Sequence, residues 1–216
     1  MVSATSNQNL VTDVWVKASW EEFAAYADRP DLEKARFYYD RSEMRIEMAA
    51  VGPVHGRDNS IVSNVVTLFA TVKTLRIAEY TNSSFRKIGV RECQPDLAFY
   101  IDSDFRLPPR TNTPINVDEF GAPSLAIEVA STTLSDDLGR KRLLYERLGV
   151  KEYWVVDVNA GEVIAFEVAN QRSGQVQASG VLPGLAIATI EEALQRSQSE
   201  DDGAINRWLL QTFSAQ

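Results

Sequence analysis

The segment Leu125-Ala126-Ile127-Glu128-Val129-Ala130 sets one carboxylate in an otherwise apolar strand pattern. Strand alternation puts Leu125, Ile127 and Val129 on one face and Glu128 between two alanines on the other, where small neighbours leave room around the acid. An ionised carboxylate in such a setting is costly unless a cation, hydrogen bonds or a metal compensates it. A structural salt bridge and a functional site both meet that requirement. A second acid opens another apolar strand, Pro95-Asp96-Leu97-Ala98-Phe99-Tyr100. By itself a Pro-Asp pair is also ordinary turn chemistry.

A cation that could reach these acids lies on the helix that follows Glu128. Ser135 is a suitable N-cap, Asp136 and Asp137 suit the first turn, Arg147 suits the last, and Gly149 can end the helix. At about 100° per residue, Lys141 and Asp137 fall within the arc of Leu138, Leu144, Tyr145 and Leu148, whereas Arg140, Arg142, Glu146 and Arg147 fall outside it. Two charges therefore point inward. They can pair with each other at i,i+4, or Lys141 can reach Glu128 and Asp96 across the sheet. Two carboxylates at neighbouring strand ends can hold Mg²⁺ through oxygen, and a nearby lysine can position a water that attacks phosphorus.

The elements that must position these groups are legible in outline. Ser19 caps a helix from Trp20 to about Ala27, which stops near Pro30. Met44 to Ala49 reads as a strand. Gly52 and Pro53 precede a long helix beginning near His55 or Gly56, in which Ile61, Val65, Leu68, Phe69 and Val72 recur at helical spacing. Strand character follows at 77–81, 84–88, 96–101 and 125–130, with a loop containing Pro108, Pro109 and Pro114 before the last. Residues 152–158 and 162–168 form a hairpin, and two helical pieces after Thr189 are separated by the polar break 197–203. The pattern predicts one α/β domain, a mixed sheet flanked by helices, over 19–196, with an N-terminal extension 1–18 and a helical tail 197–216 packed on it.

Composition narrows the partners. The chain has 216 residues, 44% hydrophobic, and a formal charge of -8 from 22 Lys plus Arg against 30 Asp plus Glu. An acidic balance opposes nonspecific phosphate binding, so any nucleic-acid contact must be local; a bound cation would offset the repulsion. The single cysteine, Cys93, excludes an intramolecular disulfide and a cysteine-based zinc site. The longest charge-free apolar stretch, 60–72, is too short to cross a bilayer, and the polar first ten residues lack the features of a secretory signal, so a cytoplasmic location is expected.

The combination His55-Gly56, Ser84, Arg86-Lys87, Gly89-Val90-Arg91, Gln94-Pro95-Asp96, Ile127-Glu128-Val129, Asp137, Lys141, Tyr145, Gly149-Val150 and Glu152-Tyr153-Trp154-Val155-Val156-Asp157 resembles the Uma-two family of the PD-(D/E)XK restriction-endonuclease-like superfamily. The resemblance runs from about Trp20 to about Leu194. It implies a nuclease-like mixed sheet flanked by helices, Asp96 and Glu128 as acids holding Mg²⁺ or Mn²⁺, DNA as substrate and a homodimer. The superfamily lysine would fall two residues after the second acid, where this chain has Ala130. In branches where that lysine has moved to a neighbouring helix, its equivalent here is Lys141.

Glu47 is a further candidate acid, and His55 a candidate contact for water or phosphate; a solvent-facing strand residue and a helix cap are their bland alternatives. Asp58 falls on the apolar side of its helix. Arg86, Lys87 and Arg91 are candidate substrate contacts, with Arg106 and Arg110 in the proline-rich loop, or simply a solvated basic face. Ala130 and the acidic balance also permit a catalytically silent nuclease fold that binds a partner or nucleic acid.

Overall fold

Among residues 10–48 and 52–215, which the computed structural model describes, aromatic and β-branched runs form more strands than periodicity alone predicts. The N-terminal segment begins with β1 (Val16–Lys17), followed by α1 (Trp20–Ala27), where Ser19 and Glu22 form a capping box. The Arg-Phe-Tyr-Tyr-Asp run is β2 (Arg36–Asp40), hairpinned to β3 (Glu43–Glu47). Ala49, the end expected for β3, lies outside the described residues. The long helix α2 (Pro53–Val72) starts two residues before His55, with proline in its first turn. Short strands follow: β4 (Ile77–Thr81), β5 (Phe85–Lys87), β6 (Arg91–Cys93), β7 (Leu97–Ile101) and, after the proline-rich loop, β8 (Ile115–Asn116) with the one-turn helix α3 (Val117–Phe120).

The strand β9 (Leu125–Ala130) leads to a helical run that begins as α4 (Leu134–Asp136), widens into a π-helical turn (Asp137–Lys141) and continues as α5 (Arg142–Leu148). Thr133, not the expected Ser135, precedes the first turn; its hydroxyl reaches forward to Asp137. Gly149 ends α5 in the left-handed region, φ 95°, as a C-terminal glycine should. Glu146 corrects the helical-wheel reading: it is buried and accepts from Ser173. The chain closes with β10 (Glu152–Asp157), β11 (Glu162–Ala169), β12 (Arg172–Val176), α6 (Ile187–Arg196) and α7 (Asp202–Ser214).

These strands make two mixed six-stranded sheets rather than one. The larger has the order β12-β11-β10-β9-β7-β4, parallel only between β9 and β10; the smaller has the order β1-β3-β2-β6-β5-β8, parallel only between β5 and β8. Leu125, Ile127 and Val129 face a core shared with α2, α6 and α7, while Ala126 and Ala130 face a second core shared with α5 and the small sheet. Glu128 is therefore carried into the space between the two sheets. A third cluster packs α1 on β2 and β3. The fold is α/β, mixed sheets flanked by helices, and among the described residues no helix is long and apolar enough to cross a membrane.

Candidate active site

The β7–β9 ladder pairs Leu97 with Ile127, and continuing this antiparallel register by one residue sets Asp96 opposite Glu128. Asp96 does not extend the ladder through its backbone alone: its Oδ2 accepts the Val129 N–H at 2.8 Å. The other oxygen, Oδ1, faces Arg36 Nη2 at 2.6 Å and His55 Nε2 at 3.3 Å. Burial raises the Asp96 carboxyl's pKa, but the His55 hydrogen bond, the Arg36 charge and the Val129 N–H outweigh it and hold the group at about 2. Asp96 is thus a fixed anion.

Glu128 sits in a different environment. Its Oε1 accepts the Tyr145 hydroxyl at 2.7 Å and the Tyr38 hydroxyl at 3.3 Å, with Lys141 Nζ at 3.8 Å. Every hydrogen bond it makes among the described residues goes to Oε1, which leaves Oε2 for a ligand. Burial pushes the Glu128 carboxyl well above the ordinary range, against Lys141, and the nearby Asp137 and Asp96 push it the same way. The two acids are therefore unlike: the pKa of Asp96 is held below the ordinary carboxylate range by its partners, and that of Glu128 is pushed above it by burial.

Lys141 is 2% exposed and meets Asp137 Oδ1 at 2.9 Å and Glu47 Oε1 at 3.1 Å, while its Nζ lies 4.2 Å from the centre of the Tyr38 ring. It does not reach Asp96, contrary to the sequence expectation; Arg36 occupies that place. Burial opposes the ammonium charge, yet Glu128, the Tyr38 oxygen, Asp137 and Glu47 together raise the lysine's pKa well above normal. Lys141 is consequently a cation and not a base. Glu47, at the end of β3, is shared between Lys141 and Arg45, whose Nε lies 2.7 Å from the same oxygen. Arg45 in turn faces Asp136, which accepts the Trp15 indole N–H at 2.7 Å. The N-terminal segment 10–18 thus feeds a side chain into the cluster; residues 1–9 lie outside the described residues.

The charges do not balance. Five carboxylates, Glu47, Asp96, Glu128, Asp136 and Asp137, face three permanent cations, Arg36, Arg45 and Lys141, and one imidazole, His55. Among the described residues, buried Asp96 Oδ1, Asp136 Oδ2 and Asp137 Oδ1 are held only by their ion-pair partners, Arg36 with His55, Arg45 and Lys141 respectively. A buried surplus of hard oxygen donors suits Mg²⁺, which binds through one or two carboxylates plus water and phosphate oxygens. Asp96 Oδ1 and Glu128 Oε2 are the donors that fit. No three His, Cys, Asp or Glu side chains among the described residues form a ready-made protein cage.

Other predicted residues lie apart from this cluster or have partners of their own. Arg86 binds Glu92, and Arg91 binds Asp40 and the Arg147 carbonyl. Lys87 pairs at 3.2 Å with exposed Asp118. Asp58 is half-buried one turn after His55, and burial raises its carboxyl. Sequence reasoning missed Arg36 and Tyr38 because it missed β2; the aromatic run Phe37-Tyr38-Tyr39 was the available strand signal.

Comparison with known proteins gives a consistent picture. A family model described as "Uma2: Putative restriction endonuclease" matches residues 20–206. A crystal structure described as a putative nuclease belonging to DUF820 from Anabaena variabilis ATCC 29413 aligns with a TM-score of 0.57 at 19% identity, covering 82% of this chain and 98% of that one. At that identity the likeness concerns the fold. No curated protein matches the chain.

Proposed function

This chain belongs to the Uma2 family, and on that premise we propose that it is a Mg²⁺-dependent endonuclease hydrolysing phosphodiester bonds in DNA. The observation that carries the reading is the placement of Asp96 opposite Glu128 at the end of the β7–β9 ladder, with the buried ammonium of Lys141 beside Glu128. When bound at Asp96 and Glu128, Mg²⁺ or Mn²⁺ supplies Lewis-acid stabilisation of the phosphoryl oxygens and lowers the pKa of a ligated water.

The chain's own groups divide the remaining work. Asp96 keeps its charge because a backbone N–H, Arg36 and His55 hold it. Glu128 is oriented by the Tyr145 and Tyr38 hydroxyls on Oε1, which leaves Oε2 as the oxygen that would hold the metal beside Asp96. Lys141 keeps its proton; it fixes Glu47 and stabilises negative charge developing near Glu128. Arg36, its guanidinium partly exposed, is a donor that can turn from Asp96 to an entering phosphate. Such a division needs no lysine at the position of Ala130.

The test is nicking of supercoiled plasmid by the purified full chain with Mg²⁺ and with Mn²⁺. Asp96→Asn and Glu128→Gln should each lower the rate by about 10²-fold or more while circular dichroism stays native. Full activity in both variants sinks the assignment. Ala130 at the position of the superfamily lysine favours a second reading, a catalytically silent homodimer serving as an interaction or nucleic-acid-binding module; saturable partner or DNA binding without nicking in either metal would support it.

A further inference from the structure

Beside the acidic cluster lies a cavity of about 700 Å³ between the small sheet, the segment 27–35 and the proline-rich loop. It falls within the size range of small-molecule sites, roughly 300–1,000 Å³. Two of its wall residues touch the cluster. The Asn82 N–H donates to the Asp96 carbonyl at 3.0 Å, and Asn82 Oδ1 accepts from Arg36 at 2.6 Å. Gln94 donates to the Asn82 carbonyl at 3.0 Å, and its own carbonyl accepts the Tyr38 hydroxyl at 2.9 Å.

The lining chemistry selects the occupant. Asp28, Glu33, Glu92 and Glu119 face a single cation, Arg86, so the walls repel phosphate. Arg86 is further neutralised by its pairing with buried Glu92 through Nε. That pairing fixes the guanidinium and leaves Nη1 and Nη2 without partners among the described residues, a two-donor fork of the kind that reads base edges. Asn112, on the proline-rich loop, also has no side-chain hydrogen bond among the described residues. Tyr80 and Phe120 add aromatic side chains to the same walls. An uncharged, flat, hydrogen-bonding ring suits this lining, and an anion does not.

We infer that the cavity is a nucleobase-binding subsite that holds one base of the substrate strand by its polar edge, next to the phosphate at Asp96. The position of that phosphate rests on the endonuclease reading; the ligand class of the cavity does not. Cleavage by this chain accordingly depends on the base beside the cut.

Titration of the full chain with each of the four deoxynucleosides, followed by NMR of the side-chain amides of Asn82, Gln94 and Asn112, tests the site without turnover. A saturable shift of these amides by at least one nucleoside is expected, with none from inorganic phosphate. Arg86→Met should abolish it. Because that change strands buried Glu92 and can unfold the chain, Asn112→Ala serves as the second variant, weakening binding by roughly three- to tenfold, the loss of one neutral hydrogen bond. No shift with any nucleoside, a shift with phosphate, or unchanged binding by Asn112→Ala overturns the inference. Nucleoside binding by a protein that nicks no plasmid leaves the subsite standing and removes the endonuclease reading; nicking without nucleoside binding does the reverse.

Discussion

Lys141 is the residue on which the charge of the cluster turns. Its ammonium faces Asp137, Glu47 and Glu128, and all four groups are buried. Removing a buried cation leaves its acids facing one another, which costs more than the pair was worth. Lys141→Met is expected to lower unfolding free energy by about 3–5 kcal/mol, read from urea denaturation at neutral pH. Adding Glu128→Gln should recover part of the loss, since one of the stranded charges is gone. An unchanged denaturation midpoint in Lys141→Met would mean that the lysine balances nothing. The sequence made three of these groups legible: a lone acid between alanines, and a lysine and an aspartate inside an apolar helical arc. Glu47 was legible only as a candidate, and the pairing of Asp96 with Arg36 was not, because contacts between distant strands leave no local spacing signal.

At the scale of elements, the missing information was turn chemistry. The β2–β3 hairpin carries Arg36, Tyr38 and Glu47 into the site, yet its two-residue loop is Arg41-Ser42. Both residues have positive φ, 52° and 58°, the geometry of a tight hairpin turn that Asn-Gly normally announces. With side chains that resist this conformation, the loop gave no signal, and β2 went unread. The same observation predicts a gain in stability. Replacing the pair, Arg41→Asn with Ser42→Gly, should relieve part of a left-handed penalty of roughly 1–2 kcal/mol per residue and raise the thermal midpoint, measured by calorimetry. A fall in the midpoint would show that Arg41 or Ser42 makes a contact worth more than the strain. The π turn 137–141 was equally invisible, since a helical wheel assumes one pitch throughout. Its wider turn still keeps Asp137 and Lys141 on the buried side, as such bulges often do at functional sites.

Across the whole molecule, the acids sit between two sheets, and the face of the larger sheet away from them is closed by α2, α6 and α7. The sequence expectation of a tail packed on the domain understates α7, since Ile205, Leu209 and Phe213 are fully buried in the main core. Phe213 meets Phe69 of α2 edge to face, with ring centres 5.1 Å apart. The start of α2 carries His55 to Asp96, and the next turn-forming residues include Arg57, which binds the Ser197 and Glu200 carbonyls and the Asp202 carboxylate. The C-terminal segment therefore braces the helix that delivers the imidazole. Phe213→Ala removes a buried ring from this brace and should cost about 3–5 kcal/mol, measured by urea denaturation. Asp96 and Glu128 are held instead by the β7–β9 ladder, so the variant should retain their positions wherever it remains folded. A cost below about 1 kcal/mol, the range of surface substitutions and small trims, would show that α7 lies on the molecule without completing its core.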